Sequence, residues 1–135
     1  MQDKCGVVGI SSADPCRNVA KSIYYALYAL QHRGQESAGI SVYDGKVVRT
    51  HKAMGLVAEV FNNARIDALE GPSGIGHVPY STTGESALKN SQPILVKYKD
   101  SSVAIAHNGN LVNAGKLKEE LEAEGEVFQI GRAHV

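Results

Sequence analysis

Cys5-Gly6-Val7-Val8-Gly9-Ile10 is a cysteine at the head of a short apolar run punctuated by glycine, and its reading decides the rest of the chain. A run of this length closed by a turn signal, here Ala13-Asp14-Pro15, is a buried strand. A cysteine at its head is then a nucleophile carried on the first strand of a sheet. The thiolate is the reactive form of cysteine, so such a residue needs a base or a field that favours the anion. Were Met1 to Lys4 removed, the α-amine of Cys5, with an unperturbed pKa of about 7.7–8.0, would lie within a few bonds of the thiol and act as that base. Set against this, cysteine is among the most buried residue types, and a lone cysteine opening an apolar strand is ordinary core.

Outward from that strand, Asp14 is placed to cap a helix with Pro15 at its first position. Val19, Ile23, Ala26, Leu27 and Leu30 recur on one face of that helix, and Gly34 is its expected stop. Ala38 to Tyr43 and Lys46 to His51 read as a hairpin across Asp44-Gly45. Gly55 to Leu69 reads as short helical pieces broken by Gly71-Pro72. Gly74 to Val78 is a buried strand opening into a loop from Pro79 to Ser86. Gln92 to Tyr98 and Ser101 to His107 form a second hairpin across Lys99-Asp100, which delivers His107-Asn108-Gly109-Asn110 to a strand end, a common location for site residues. Asn113 to Glu124 is an amphipathic helix stopped by Gly125, and Glu126 to Gln129 starts another strand. Strands clustered as hairpins with helices between give an α+β domain, and continuous apolar strands imply burial on both faces, in the order helix, sheet, sheet, helix.

The chain has 135 residues, 43% apolar and 21% charged, which suits one globular domain with a sizeable core. Lys plus Arg (14) equals Asp plus Glu (14), so charge gives no reason to expect nucleic acid or an anionic membrane as partner. Two cysteines build no disulfide framework, and with no secretory signal or long apolar span the expectation is a cytoplasmic, reducing setting. Their spacing matches no dithiol motif, which leaves a redox role for Cys5 and Cys16 as a weaker alternative.

Several segments together carry a resemblance. CGVVGI, LQHRGQESAGI, GLVAEVF, GIGHVPYSTTGES, QP and AHNGNLVNA, spread from Cys5 to Gln129, resemble the N-terminal glutaminase domain of the amidophosphoribosyltransferases, class II glutamine amidotransferases of the N-terminal-nucleophile type. The sugar-phosphate branch, glucosamine-6-phosphate synthase, is the alternative; its expected variants EYRGYDSAG, TRWATHG and HNGIIEN are replaced here by QHRGQESAG, HVPYSTTG and HNGNLVN. The resemblance implies a four-layer αββα sandwich that is incomplete at the C-terminus. It makes residues 1–4 a propeptide-like leader, residues 5–129 the truncated amidotransferase domain, and residues 130–135, which a common sequencing adapter would encode, a non-native tail.

Residue by residue, the resemblance implies that Cys5 attacks the carboxamide of glutamine to form a thioester and release ammonia. Asn108 and Gly109 match the oxyanion hole. Arg33 and Gly34 match the loop holding nucleophile and glutamine, and Pro79, Tyr80 and Thr82 fall among the substrate-binding positions. Without the other motifs, Asn108-Gly109-Asn110 would be a plain turn. His77 and His107 are read as structural. No metal or cofactor is expected in this stretch; the Mg²⁺, and in some members a [4Fe–4S] cluster, belong to the full-length enzymes. The implied partners are glutamine and a phosphoribosyltransferase domain missing from this chain, with a homo-oligomer when full length.

Three departures qualify the resemblance. Pro79 stands where the family motif GIGHVRY has an arginine for the α-carboxylate of glutamine, and proline offers no donor and fixes φ. Residues 130–135 replace a segment whose aspartate binds the α-amino group. Gln2 is too large for routine methionine removal, so freeing Cys5 requires self-cleavage, without which it carries an amide and no base. These departures keep open an inactive fragment with no independent function.

Overall fold

The computed structural model describes residues 5–33, 36–79, 91–109 and 112–124. Strand β1 (Gly6–Ser11) pairs antiparallel with β4 (Ser73–Val78), Gly6 lying opposite Val78. Strand β4 continues into β2 (Ser37–Tyr43) and β2 into β3 (Val48–Met54), giving a four-stranded sheet of order β1-β4-β2-β3. A second sheet is the hairpin of β5 (Ile94–Tyr98) and β6 (Ser101–Ile105). The glutamate- and lysine-rich helix α4 (Ala114–Ala123) follows it.

One face of the first sheet is covered by helix α1 (Ala20–Leu30). Its apolar stripe buries Val19, Ile23 and Leu27 against Ile40, Val42 and Val78, which removes the large aliphatic side chains of both layers from water. The helix comes this close because β4 offers only glycine beneath it, at Gly74 and Gly76. A Cβ on Gly76 would fall 2.6 Å from Ile23 Cγ2. The short helices α2 (Val57–Val60) and α3 (Asn63–Ala68) complete this layer. Glu59 Oε2 accepts the Leu56 N–H at 2.9 Å and Asn62 Oδ1 accepts the Arg65 N–H at 2.9 Å, so each first turn is capped by its own sequence.

Among the boundaries that differ from the sequence reading, two have a clear physical cause. Helix α1 begins at Ala20 rather than Pro15. Asp14 Oδ1 instead closes a turn on the Cys16 N–H at 2.9 Å, while Asn18 Oδ1 accepts from Gly71 N and the Val19 N–H donates to the Gly71 carbonyl, so a tertiary strap holds this backbone out of the helix. The first hairpin closes with Tyr43 opposite Val48, leaving four residues in the loop instead of two. Asp44 Oδ1 organises that loop by accepting from both Lys46 N (2.7 Å) and Val47 N (2.8 Å), with Gly45 at φ 99° and Arg49 paired to Oδ2. The expected Gly34 stop, the loop beyond Pro79, the Gly125 stop, the strand at 126–129, the leader and the tail lie outside the described residues.

The opposite face of the sheet carries the second one. Strand alternation places Lys52 (β3), Gly39 (β2), His77 (β4) and Val7 (β1) side by side in one row, because Gly39 is registered with both Lys52 and His77, and His77 with Val7. Gly39 is the gap in that row. A Cβ there would lie 2.1 Å from the Gln92 carbonyl oxygen and 2.8 Å from Pro93 Cδ, so the segment 91–93 leading into β5 rests directly on bare backbone.

Two outcomes follow. Gly39→Ala should cost about 3 kcal/mol or more of folding stability in urea titration, since the obstructing atom is backbone and cannot rotate away. At the hairpin tip, the Val47 N–H, then Arg49 and the Lys46 N–H hold the Asp44 carboxyl far below its ordinary 3.8. A depressed carboxyl stabilises the fold above its unfolded pKa and ceases to do so as pH falls through the folded value. Asp44→Asn should therefore be less stable than the parent at pH 7, with the gap closing in strong acid; a constant gap from pH 7 to 2 would refute this.

Candidate active site

The site assembles at one end of the first sheet. Cys5 immediately precedes β1 and Pro79 immediately follows β4; continuing the register that sets Gly6 against Val78 brings the two level. Leu30, at the end of α1, packs over Gly6, where an added Cβ would lie 3.0 Å from Leu30 Cβ. A 3₁₀ turn, Gln31–Arg33, follows directly after Leu30, so the chain at Arg33 leaves α1 at this end of the sheet. Gln31 Oε1 accepts the Val57 N–H at 3.0 Å and ties this turn to α2.

The second sheet supplies the rest. Strand β6 runs out at Ile105, and the chain turns through His107, Asn108 and Gly109, the last at φ 118°, a left-handed conformation open to glycine. Asn108 Nδ2 donates to the Cys5 carbonyl oxygen at 3.2 Å, joining residues 103 positions apart. Cys5 is half-buried and not disulfide-bonded, and Asn108 is exposed, so both remain within reach of a small molecule.

Three side chains hold that turn and the segment that supports it. Gln92, 2% exposed, accepts the His107 N–H on Oε1 at 2.7 Å. His77, 1% exposed, sits 3.0 Å from Asn108 Oδ1 and 3.1 Å from the His107 carbonyl oxygen through the same nitrogen, Nε2. Lys52 Nζ donates to the carbonyls of Ser91 (2.8 Å) and Pro93 (3.1 Å), clamping both sides of Gln92. Burial pushes the Lys52 ammonium pKa down from its ordinary 10.5. The unfolded chain therefore keeps this proton to higher pH than the folded one, and the fold gains stability from this group as pH rises through the window just below 10.5.

Of the residues expected from sequence, Cys5, Asn108, Gly109, Pro79 and the backbone of Arg33 come together; Gly34, Tyr80 and Thr82 lie outside the described residues. Pro79 is buried, and its carbonyl is 3.5 Å from the Glu36 N–H. Lys52 and Gly39 were missed because nothing local marks them; Gln92 was visible only as half of the QP motif. Among the described residues, no three His, Cys, Asp or Glu side chains gather into a group able to hold a metal ion. The described residues thus offer no such donor set for the Mg²⁺ or [4Fe–4S] cluster that the resemblance places in full-length enzymes.

A half-buried thiol, a side-chain amide and a glycine turn thus gather at one sheet end, on a helix, sheet, sheet framework. The sequence profile of the class-II glutamine amidotransferases matches residues 10–132, and the chain belongs to that family. Its relatives include an amidophosphoribosyltransferase of Methanothermobacter thermautotrophicus, 57% identical over 95% of the chain, and one of Methanocaldococcus jannaschii, 54% identical over 92%. The chain spans 27% and 26% of the lengths of these two relatives. Among solved structures, a glutamine phosphoribosylpyrophosphate amidotransferase from B. subtilis, complexed with ADP and GMP, superposes with a TM-score of 0.81 at 43% identity, covering 94% of this chain and 27% of that one. The expected fold class is borne out by that superposition.

Lys52→Met should lower stability by about 1–3 kcal/mol by leaving two buried carbonyls without their charged donor. It should also speed hydrogen exchange at the His107 amide. An unchanged exchange rate there would show that the clamp does not reach the turn.

Proposed function

We propose that this chain performs the glutaminase half-reaction of an amidophosphoribosyltransferase, hydrolysing glutamine through a cysteinyl thioester and releasing ammonia for use elsewhere in the parent enzyme. The observation that carries the reading is the Asn108 amide bonded to the Cys5 carbonyl, which puts an N–H donor beside the nucleophile's own backbone. With residues 1–4 removed, the Cys5 α-amine takes the thiol proton, and the sulfur adds to the side-chain carboxamide carbon of glutamine. The carbonyl π electrons move to oxygen, and that oxyanion accepts hydrogen bonds from Asn108 Nδ2–H and the Gly109 N–H. Each such donor lowers the barrier by roughly 3 kcal/mol in hydrolases of this general type. Collapse breaks the C–N bond, and the ammonium of Cys5 returns its proton to the departing nitrogen as ammonia. Water then adds to the thioester, the same amine accepting its proton, and glutamate leaves as the thiol re-forms.

In the parent, ammonia would displace pyrophosphate from phosphoribosylpyrophosphate on a separate domain, in purine biosynthesis and in the cytoplasm, with the whole enzyme a homo-oligomer. The names of the relatives support that assignment over the sugar-phosphate branch. Among the described residues no helix is long and apolar enough to cross a membrane.

Pro79 weakens this reading's substrate grip. An arginine pairing with the α-carboxylate of glutamine would contribute on the order of 2–5 kcal/mol, and proline contributes no donor. The test is intact mass and N-terminal sequencing before and after treatment with 6-diazo-5-oxonorleucine. A terminus at Cys5 that gains the analogue is expected, with no adduct on Cys5→Ala. Pro79→Arg should strengthen apparent glutamine affinity by about tenfold or more. Labelling that persists in Cys5→Ala would overturn the assignment of the nucleophile.

A further inference from the structure

A buried histidine within a strand is ordinarily a packing residue, but His77, next to the end of β4, meets the candidate oxyanion donor rather than the core. It lies on the sheet face away from α1, in the row that receives the second sheet, and one nitrogen serves two oxygens. The His107 carbonyl is always an acceptor, so Nε2 at 3.1 Å from it must carry the proton. A protonated Nε2 at 3.0 Å from the Asn108 amide in turn requires the oxygen, Oδ1, on that side. The amide NH₂ is thereby directed to Cys5, where one N–H meets the carbonyl at 3.2 Å. The flipped amide would set Oδ1 against the Cys5 carbonyl and NH₂ against the histidine N–H, opposing like groups at both ends.

The torsion that turns an asparagine amide is broad and roughly two-fold, so an exposed asparagine does not choose between these orientations by itself. The choice matters chemically. One orientation offers a donor to a tetrahedral oxygen forming next to Cys5, and the other offers a negative dipole end. We propose that His77 is a positioning residue for amide hydrolysis: its Nε2–H locks Oδ1 of Asn108 and so aims the Asn108 NH₂ at the oxyanion of the glutamine adduct. This rests on the glutaminase reading above and adds a residue to it. His77 does not touch substrate and transfers no proton; it acts through Asn108.

The transition state should feel this alignment more than the bound substrate does, because charge builds on the oxygen only as the thiol adds. In the Pro79→Arg background, His77→Leu is expected to lower kcat for glutamine hydrolysis by about tenfold to hundredfold with KM changed less than about threefold. His77→Gln, whose amide nitrogen occupies nearly the same place as Nε2, should restore most of that loss. ¹⁵N shifts of the imidazole in the parent chain should show the Nε2–H tautomer, with the Asn108 side-chain amide protected from exchange, and that protection should vanish in His77→Leu. A His77→Leu kcat within about threefold of its background, a glutamine variant no better than leucine, or a proton on Nδ1 in place of Nε2 would each overturn the proposal. If His77→Leu does not fold, the glutamine variant and the tautomer decide. Failure of the background itself to hydrolyse glutamine would sink the functional reading instead, and the NMR observations would still report on the His77 lock.

Discussion

The structure depends on a missing side chain. Gly39 leaves a notch in the middle of the first sheet, and the carbonyl of Gln92 with the ring of Pro93 occupies it. On one side of the notch Lys52 clamps the carbonyls of Ser91 and Pro93; on the other, His77 meets His107 and Asn108. The second sheet is thus held at both its entry and its exit by neighbours in a single cross-strand row. That double attachment brings a turn from the far hairpin to the first residue of β1.

The energetics favour precision over strength at this junction. The helix-covered face is aliphatic and gains from removal of apolar surface from water. The sheet-to-sheet face near the site is instead polar and closed by directional bonds, each of modest net value but costly when one partner is removed. A buried network of directional bonds favours one arrangement of its members. Here it fixes the His107-Asn108-Gly109 turn, whose own sequence of small polar residues would otherwise leave it mobile.

The exposed Asn108 and half-buried Cys5 show the complementary requirement. In the proposed reaction both must meet substrate and so stay accessible, and their rigidity has to be supplied from behind. His77 and Gln92, both within a few per cent of complete burial, supply it. Lys52 is one step further back, and its depressed pKa reflects the same enclosure that makes its two carbonyl bonds effective.

Sequence alone marked the six described strands, because apolar runs and hairpin signals are local, and it determined the stripe of α1, because period 3.6 is carried by side chains within the helix. It also singled out Cys5 from its place before a strand, and Asn108 and Gly109 through the resemblance that short motifs in order carry; the fold joins Asn108 to Cys5. It placed the start of α1 five residues early because the competitor for that backbone is Gly71, more than fifty positions away. It took Asp44-Gly45 as a two-residue turn, although the Asp44 carboxylate gathers two backbone donors and opens a wider loop. It read His77 as structural, and only register against Gly39 and the arrival of Asn108 gave that ring its partners. Periodicity and turn chemistry are written in consecutive residues, whereas the notch, the clamp and the aimed amide depend on atoms that become neighbours only when two sheets meet.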